Sequence, residues 1–211
     1  MVSSSLPVAL LGFAAHATAL WVERLQIPGH LQTEAVKYLG RLVWLTFQTN
    51  LLCACYYGIG VASHAFPALD AYVVQLFPLA FCLGFALSLL YYGLDHFNPS
   101  NIKKRKYYSA KGYPHCEIAS HLQHGSGTPM ALLHAMTSSF TTSDPAVRVI
   151  AFMLWYILMT LANKCATGHW QYPILNDAQR VGGVLGIATF FCVISSVCVG
   201  FSYLGNWIVE L

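Results

Sequence analysis

The stretch Ser120-His121-Leu122-Gln123-His124-Gly125-Ser126-Gly127-Thr128-Pro129 lies inside an otherwise apolar run from about residue 116 to 140. Imidazole, amide and hydroxyl groups are costly in lipid, where neither water nor neighbouring backbone solvates them. Whether this run crosses a membrane decides the fold. If it does, its polar middle faces a protein interior, and it completes an even number of crossings. Gly125, Gly127 and Pro129 also allow the segment to be broken or re-entrant, a form tolerated only where protein or a water-filled cavity surrounds the backbone.

Working outward, apolar runs predict further helices at about 5–23, 38–63, 69–94, 146–166 and 181–207. With the run at 116–140 this is an all-α, polytopic membrane helical bundle of about six transmembrane helices, one integral-membrane domain over residues 1–211. Charge supports the count. Six spans gather Arg24, Lys37, Arg41, Lys103-Lys104-Arg105-Lys106, Lys111, Lys164 and Arg180 on one face and leave Arg148 on the other; five spans would scatter them. The positive-inside rule places the basic loops in the cytoplasm and both termini on the lumenal or outer side. The expected location is the endoplasmic reticulum or plasma membrane. Between two spans, the run at 103–106 reads as an orientation signal and a contact with anionic lipid headgroups, not as a nucleic-acid patch.

Composition excludes a soluble domain: 56% of residues are hydrophobic and 9% charged, against about 25% charged in soluble proteins. The seven cysteines, at 53, 55, 82, 116, 165, 192 and 198, lie mostly in apolar runs and read as buried free thiols. Met1 to Ala19 resembles a signal sequence, and Ala15-His16-Ala17 mimics a cleavage site. A basic leading region is lacking, however, and Leu20-Trp21-Val22 extends the apolar run, so it reads as an uncleaved first helix.

His121 and His124 share a helical face, and three readings of them are open. They are packed structural histidines; or metal ligands together with His115 and Glu117 or Asp95; or one of them is a general base. Zinc wants three or four ligands in defined geometry, and the chain has no H-E-x-x-H and no repeated histidine boxes, so no metal or other cofactor is expected. For the base, Thr46, Thr49 and Asn50 form a polar stripe on the greasy second helix. Counted from the basic face at 1.5 Å per residue, Thr46 and His124 both lie roughly 12 Å deep. A hydroxyl within reach of an imidazole is the minimal arrangement for acyl transfer. Ser126 is the rival nucleophile, disfavoured because it sits two residues from its own base. Asn50 and His121 are candidate oxyanion donors, Gly125 and Ser126 flank the base as room for substrate, and the glycines let a lipid chain or a neighbouring helix approach closely. Asp95, at the end of the third span, either orients a histidine or caps its helix. Lys164 or Arg41 is placed to hold a lipid headgroup or carboxylate, and Trp170 and Tyr172 are candidate substrate-binding or oxyanion-support residues, or else an interfacial aromatic belt ahead of a proline turn.

Three motifs carry a family resemblance: Leu45-Thr46-Phe47; His121-x-x-His124 with Pro129 five residues on; and Thr167-Gly168-x-Trp170-x-Tyr172-Pro173. In order and hydropathy, from about residue 5 to 207, the chain resembles the androgen-induced and androgen-dependent TFPI-regulating proteins, also called FAR-17a-like. The resemblance implies a multi-pass hydrolase of fatty acid esters of hydroxy fatty acids, with a threonine nucleophile and a histidine partner, here Thr46 and His124. Gly125 and Ser126 stand where animal members carry threonines. The expected partners are a lipid ester substrate and membrane lipid, with no nucleic acid. The rival expectation is a non-enzymatic membrane regulator or lipid-binding protein using the same cavity.

Overall fold

The computed structural model describes residues 5–22 and 34–211. Arg24, counted above on the basic face, lies outside the described residues. The described chain is helical, with eight α-helices: α1 (Leu6–Val22), α2 (Leu45–Ser63), α3 (Asp70–Leu90), α4 (Pro99–Ala110), α5 (Cys116–Gly125), α6 (Gly127–Thr137), α7 (Pro145–Thr167) and α8 (Pro173–Glu210).

Three helical stretches are long and apolar enough to cross a membrane: Pro67–His96, Pro145–Thr167 and Pro173–Glu210. Helix α1 is apolar but has only 17 residues. Helix α2 has 19 residues, and Thr46, Gln48, Thr49 and Asn50 dilute its hydropathy. The same four residues make α2 the chemically informative helix.

Helix α3 is the centre of the bundle, packed against α2, α6, α7 and α8. In its most apolar window 67% of residues are buried, against 28% and 17% for the windows of α7 and α8. Phe77, Phe81 and Leu83 on α3 are almost fully enclosed. Pro78 lies inside α3 without ending it, as neighbouring helices permit in membrane proteins. Helix α1 packs along α2 and also reaches α5 and α6.

Local chemistry sets the helix ends. Pro145 and Pro173 occupy the first turns of α7 and α8, where a missing N–H costs nothing. Gly168 ends α7 in the left-handed conformation, at φ 75°. Gly183, at φ 57° and ψ −138°, interrupts α8. The predicted span at 181–207 therefore coincides with the longer part of α8, and the part before Gly183 is an additional helix.

Two other segments differ from expectation. The predicted second span begins at 38, yet residues 34–43 contain two 3₁₀ turns, Glu34–Val36 and Gly40–Val43, and the α-helix starts only after an extended Trp44. The basic loop at about 95–115 is largely the helix α4.

The decisive segment at 116–140 is broken. Helices α5 and α6 meet at Ser126. Pro129 offers no N–H to the Gly125 carbonyl, so the helical ladder fails there. Gly127 touches the backbone of α3: a Cβ on Gly127 would fall 2.6 Å from the Gly84 carbonyl oxygen. Small residues at such a crossing let two helices approach to backbone contact.

Candidate active site

The first turn of α2 and the last turn of α5 bring together Thr46 and His124, 78 positions apart, with Thr46 Oγ1 3.0 Å from His124 Nε2. The depth counted for Thr46 from residue 38 at an α-helical rise does not hold, because residues 38–44 form turns and an extended Trp44 rather than α-helix. Both side chains are half-buried, neither sealed in the core nor open to the surface.

The other ring nitrogen fixes the chemistry of this contact. His124 Nδ1 lies 2.7 Å from the carbonyl oxygen of Ser120, one turn earlier in α5. A carbonyl only accepts, so Nδ1 carries the proton. In the neutral ring Nε2 then presents its lone pair to the Thr46 hydroxyl, which donates. The Tyr91 ring lies flat on the imidazole, with centroids 4.0 Å apart and planes at 10°. Tyr91 opens a π-helical turn, Tyr91–His96, at the end of α3. Such turns recur at functional sites. The Ser88 hydroxyl, also on α3, donates to the His124 carbonyl.

The expected supporting residues divide sharply. Asn50 is buried, and its amide nitrogen donates to the carbonyls of Thr46 and Gln123, each at 3.0 Å. Its oxygen accepts from His16 Nδ1 at 2.8 Å. Both ends of the amide are engaged with protein, which argues against the expected role as oxyanion donor. His121 is bonded through Nδ1 to the Tyr92 hydroxyl at 3.0 Å and stands in a ring cluster with Tyr92 and His96. Asp95 accepts from Asn101 at 2.7 Å and pairs with Arg105 at 3.2 Å. It thus joins the π-turn to α4, and the group bonded to His124 Nδ1 is the Ser120 carbonyl.

Gly125 packs against the Tyr92 hydroxyl and Gly127 against Gly84, so both glycines serve close helix approach rather than open space for substrate. Ser126 Oγ donates to the Leu122 carbonyl of its own segment at 3.3 Å. Among the described residues no group of three or more His, Cys, Asp and Glu side chains is gathered to hold a metal ion.

The third motif is a structural joint. Thr167 Oγ1 donates to the Asn163 carbonyl and Gly168 turns the chain. Lys164 donates to the Gly168 carbonyl and stands 5.5 Å over the Trp170 ring. Trp170 is buried, its indole N–H donating to Gln179 at 2.7 Å, and it packs with Leu45, Tyr156 and Leu175 in the core instead of lying in an interfacial belt. The Tyr172 hydroxyl accepts the backbone N–H of Leu45 at 2.9 Å. That bond caps the first turn of α2 one residue before Thr46, so the C-terminal motif holds the N-terminal one in place.

The sequence model of the FAR-17a/AIG1-like proteins matches residues 7–209, nearly the whole chain. The chain belongs to this family. The match takes in the Thr46–His124 contact, the broken segment and the joint around Tyr172, so these are parts of one FAR-17a/AIG1-like unit and not additions to it. No curated protein and no solved structure matches the chain.

Sequence reasoning missed four residues of the site: Ser120, Tyr91, Ser88 and His16. Ser120 was within reach of it, because a helical histidine's Nδ1 faces the carbonyl four residues back. The flat stack of Tyr91 depends on a π-turn that no local pattern announces.

Proposed function

We propose that this FAR-17a/AIG1-like protein is an intramembrane hydrolase of lipid esters, with Thr46 as nucleophile and His124 as base. The observation that carries this reading is the 3.0 Å contact between Thr46 Oγ1 and His124 Nε2, with the imidazole's opposite nitrogen held by the Ser120 carbonyl. The tautomer so fixed is the one that takes a proton from Thr46.

In the first half-reaction the Thr46 oxygen attacks the ester carbonyl as its proton passes to His124 Nε2. The tetrahedral intermediate collapses, the alcohol leaves with that proton, and the acyl group remains on Thr46. In the second half, water gives its proton to His124 and attacks the acyl-threonine. Fatty acid departs and the Thr46 hydroxyl is restored. The first four N–H groups of a helix have no partner within it. In α2 Tyr172 takes the first, so the amides of Thr46 and Phe47 are the donors nearest the developing oxyanion. Each such donor is typically worth about 3–4 kcal/mol in the transition state. The flat Tyr91 ring steadies the imidazolium formed after proton transfer.

The apolar bundle supplies the acyl-binding surface, and the substrate class is the fatty acid ester of a hydroxy fatty acid. In this reading the chain crosses the membrane six times. The broken segment α5–α6 is the fourth crossing, and the basic face, with the Thr46 site just beneath it, lies in the cytoplasm.

The test is turnover of such an ester by purified protein, alongside labelling by a lipid-like fluorophosphonate. Thr46→Ala is expected to abolish both, and His124→Ala to slow both by about a hundredfold to ten-thousandfold. Unchanged labelling and turnover in the two variants would rule the mechanism out. Wild-type protein that binds the ester without cleaving it would be a lipid-binding regulator instead.

A further inference from the structure

The break at Ser126 has a consequence for the backbone around His124. Gln123 and His124 lie in the last turn of α5, where carbonyls have no donor from their own helix. Both are supplied from other helices: the Gln123 carbonyl by Asn50 of α2, the His124 carbonyl by Ser88 of α3. An unbroken fourth helix would use these carbonyls internally and leave neighbouring helices nothing to hold.

Asn50 does more than fill a vacant acceptor. Its single Nδ2 group spans two backbones, with 3.0 Å to the Thr46 carbonyl and 3.0 Å to the Gln123 carbonyl. The first belongs to the nucleophile itself and the second to the residue before the base. The amide is locked in this orientation, because its oxygen accepts from His16 Nδ1 at 2.8 Å. His16 and Asn50 are each only 1% exposed, so neither touches a substrate entering from the membrane. His16 is further fixed by the Tyr57 ring, stacked at 5.7 Å and 13°.

We propose that His16 and Asn50 form a positioning clamp that sets the separation and angle of Thr46 and His124, with α1 contributing to catalysis only through this pair. The clamp rests on the Thr46–His124 reading above. Asn50 is a positioning residue: it ties the two backbones and leaves the oxyanion to the first-turn amides of α2. A misplacement of about 1 Å between reacting groups costs on the order of a hundredfold in rate, so loss of the clamp acts on kcat.

The experiment uses the full chain in lipid nanodiscs, a lipid-like fluorophosphonate, and an ester of a hydroxy fatty acid. Labelling amplitude counts folded sites, and the labelling rate constant at saturating probe reports alignment. Asn50→Leu is expected to keep its amplitude and KM while its rate constant and kcat fall by about 10- to 100-fold. His16→Asn keeps a donor where Nδ1 stood and is expected to stay within about twofold of wild type, whereas His16→Leu falls by about 5- to 10-fold. The double variant His16→Leu/Asn50→Leu is expected to be no slower than Asn50→Leu, since members of one network are not additive.

A wild-type rate in Asn50→Leu overturns the clamp. So do equal losses in His16→Asn and His16→Leu, multiplied losses in the double variant, or a rise in KM with kcat unchanged, which would mark a substrate contact. Should Asn50→Leu fail to fold, the His16 pair decides alone. Wild-type protein that neither labels nor turns over ester removes the hydrolase reading itself, and the clamp with it.

Discussion

Two imidazole–hydroxyl pairs bridge α2 to the broken fourth segment, ten residues apart along both: Thr46 with His124 at 3.0 Å and Tyr56 with His134 at 2.9 Å. Both contacts use Nε2. Their surroundings separate them. His134 is 1% exposed and lies among the rings of Tyr57, Phe77 and Phe140, and its Nδ1 has no partner among the described residues. His124 is half-buried, has its Nδ1 tied to a carbonyl, and faces an aliphatic hydroxyl beside the amides of a helix start. An imidazole touching a hydroxyl is therefore not by itself a site. Partial exposure, a fixed tautomer and the neighbouring helix start distinguish the Thr46–His124 pair from the Tyr56–His134 pair.

The largest expected effect contrasts the two histidines directly. His124→Ala removes most turnover but leaves a folded bundle. His134→Ala empties an aromatic-lined site and destabilises the protein by about 3 kcal/mol, with kcat per folded site unchanged. Thermal unfolding beside active-site titration reads both, and a loss of kcat in folded His134→Ala would dissolve the distinction. An intermediate effect is expected for Tyr172→Phe. Its ring still meets Trp44 edge-on, at 5.2 Å, but the Leu45 N–H loses its acceptor, costing about 1–3 kcal/mol. With Thr46 one residue away, kcat should drop by about tenfold. Ester kinetics on folded protein decide this. The smallest effect is Ser126→Ala: its hydroxyl bonds within its own segment, so turnover should stay within about twofold of wild type. A collapse there would make Ser126 the nucleophile.

The legible part of this protein was its membrane chemistry. Hydropathy placed the helical runs because lipid forces backbone bonds inside each segment, and the cost of burying His121 and His124 pointed to the segment that carries the candidate site. What stayed hidden depends on long-range geometry. The His16–Asn50 bond joins residues 34 positions apart, and His16 reads locally as part of a false cleavage site. The reading of Trp170 and Tyr172 as membrane-surface aromatics follows from their amphipathic shape, but sequence does not record that the joint between α7 and α8 packs against Leu45 at the start of α2. Asp95 stayed open between orienting a histidine and capping its helix because its partner Arg105 lies on α4, a helix too polar for hydropathy to reveal.

The contact between Gly84 and Gly127 also bears on how the chain assembles. A Cβ on either glycine would meet the other's carbonyl oxygen, at 2.9 Å from Gly84 and 2.6 Å from Gly127. A slip of α6 by one residue along α3 would press Ser126 or Thr128, each with a Cβ, into that gap. Only a register with two bare backbones face to face closes this crossing fully. The pair thereby fixes where α6 sits on α3, three residues beyond His124.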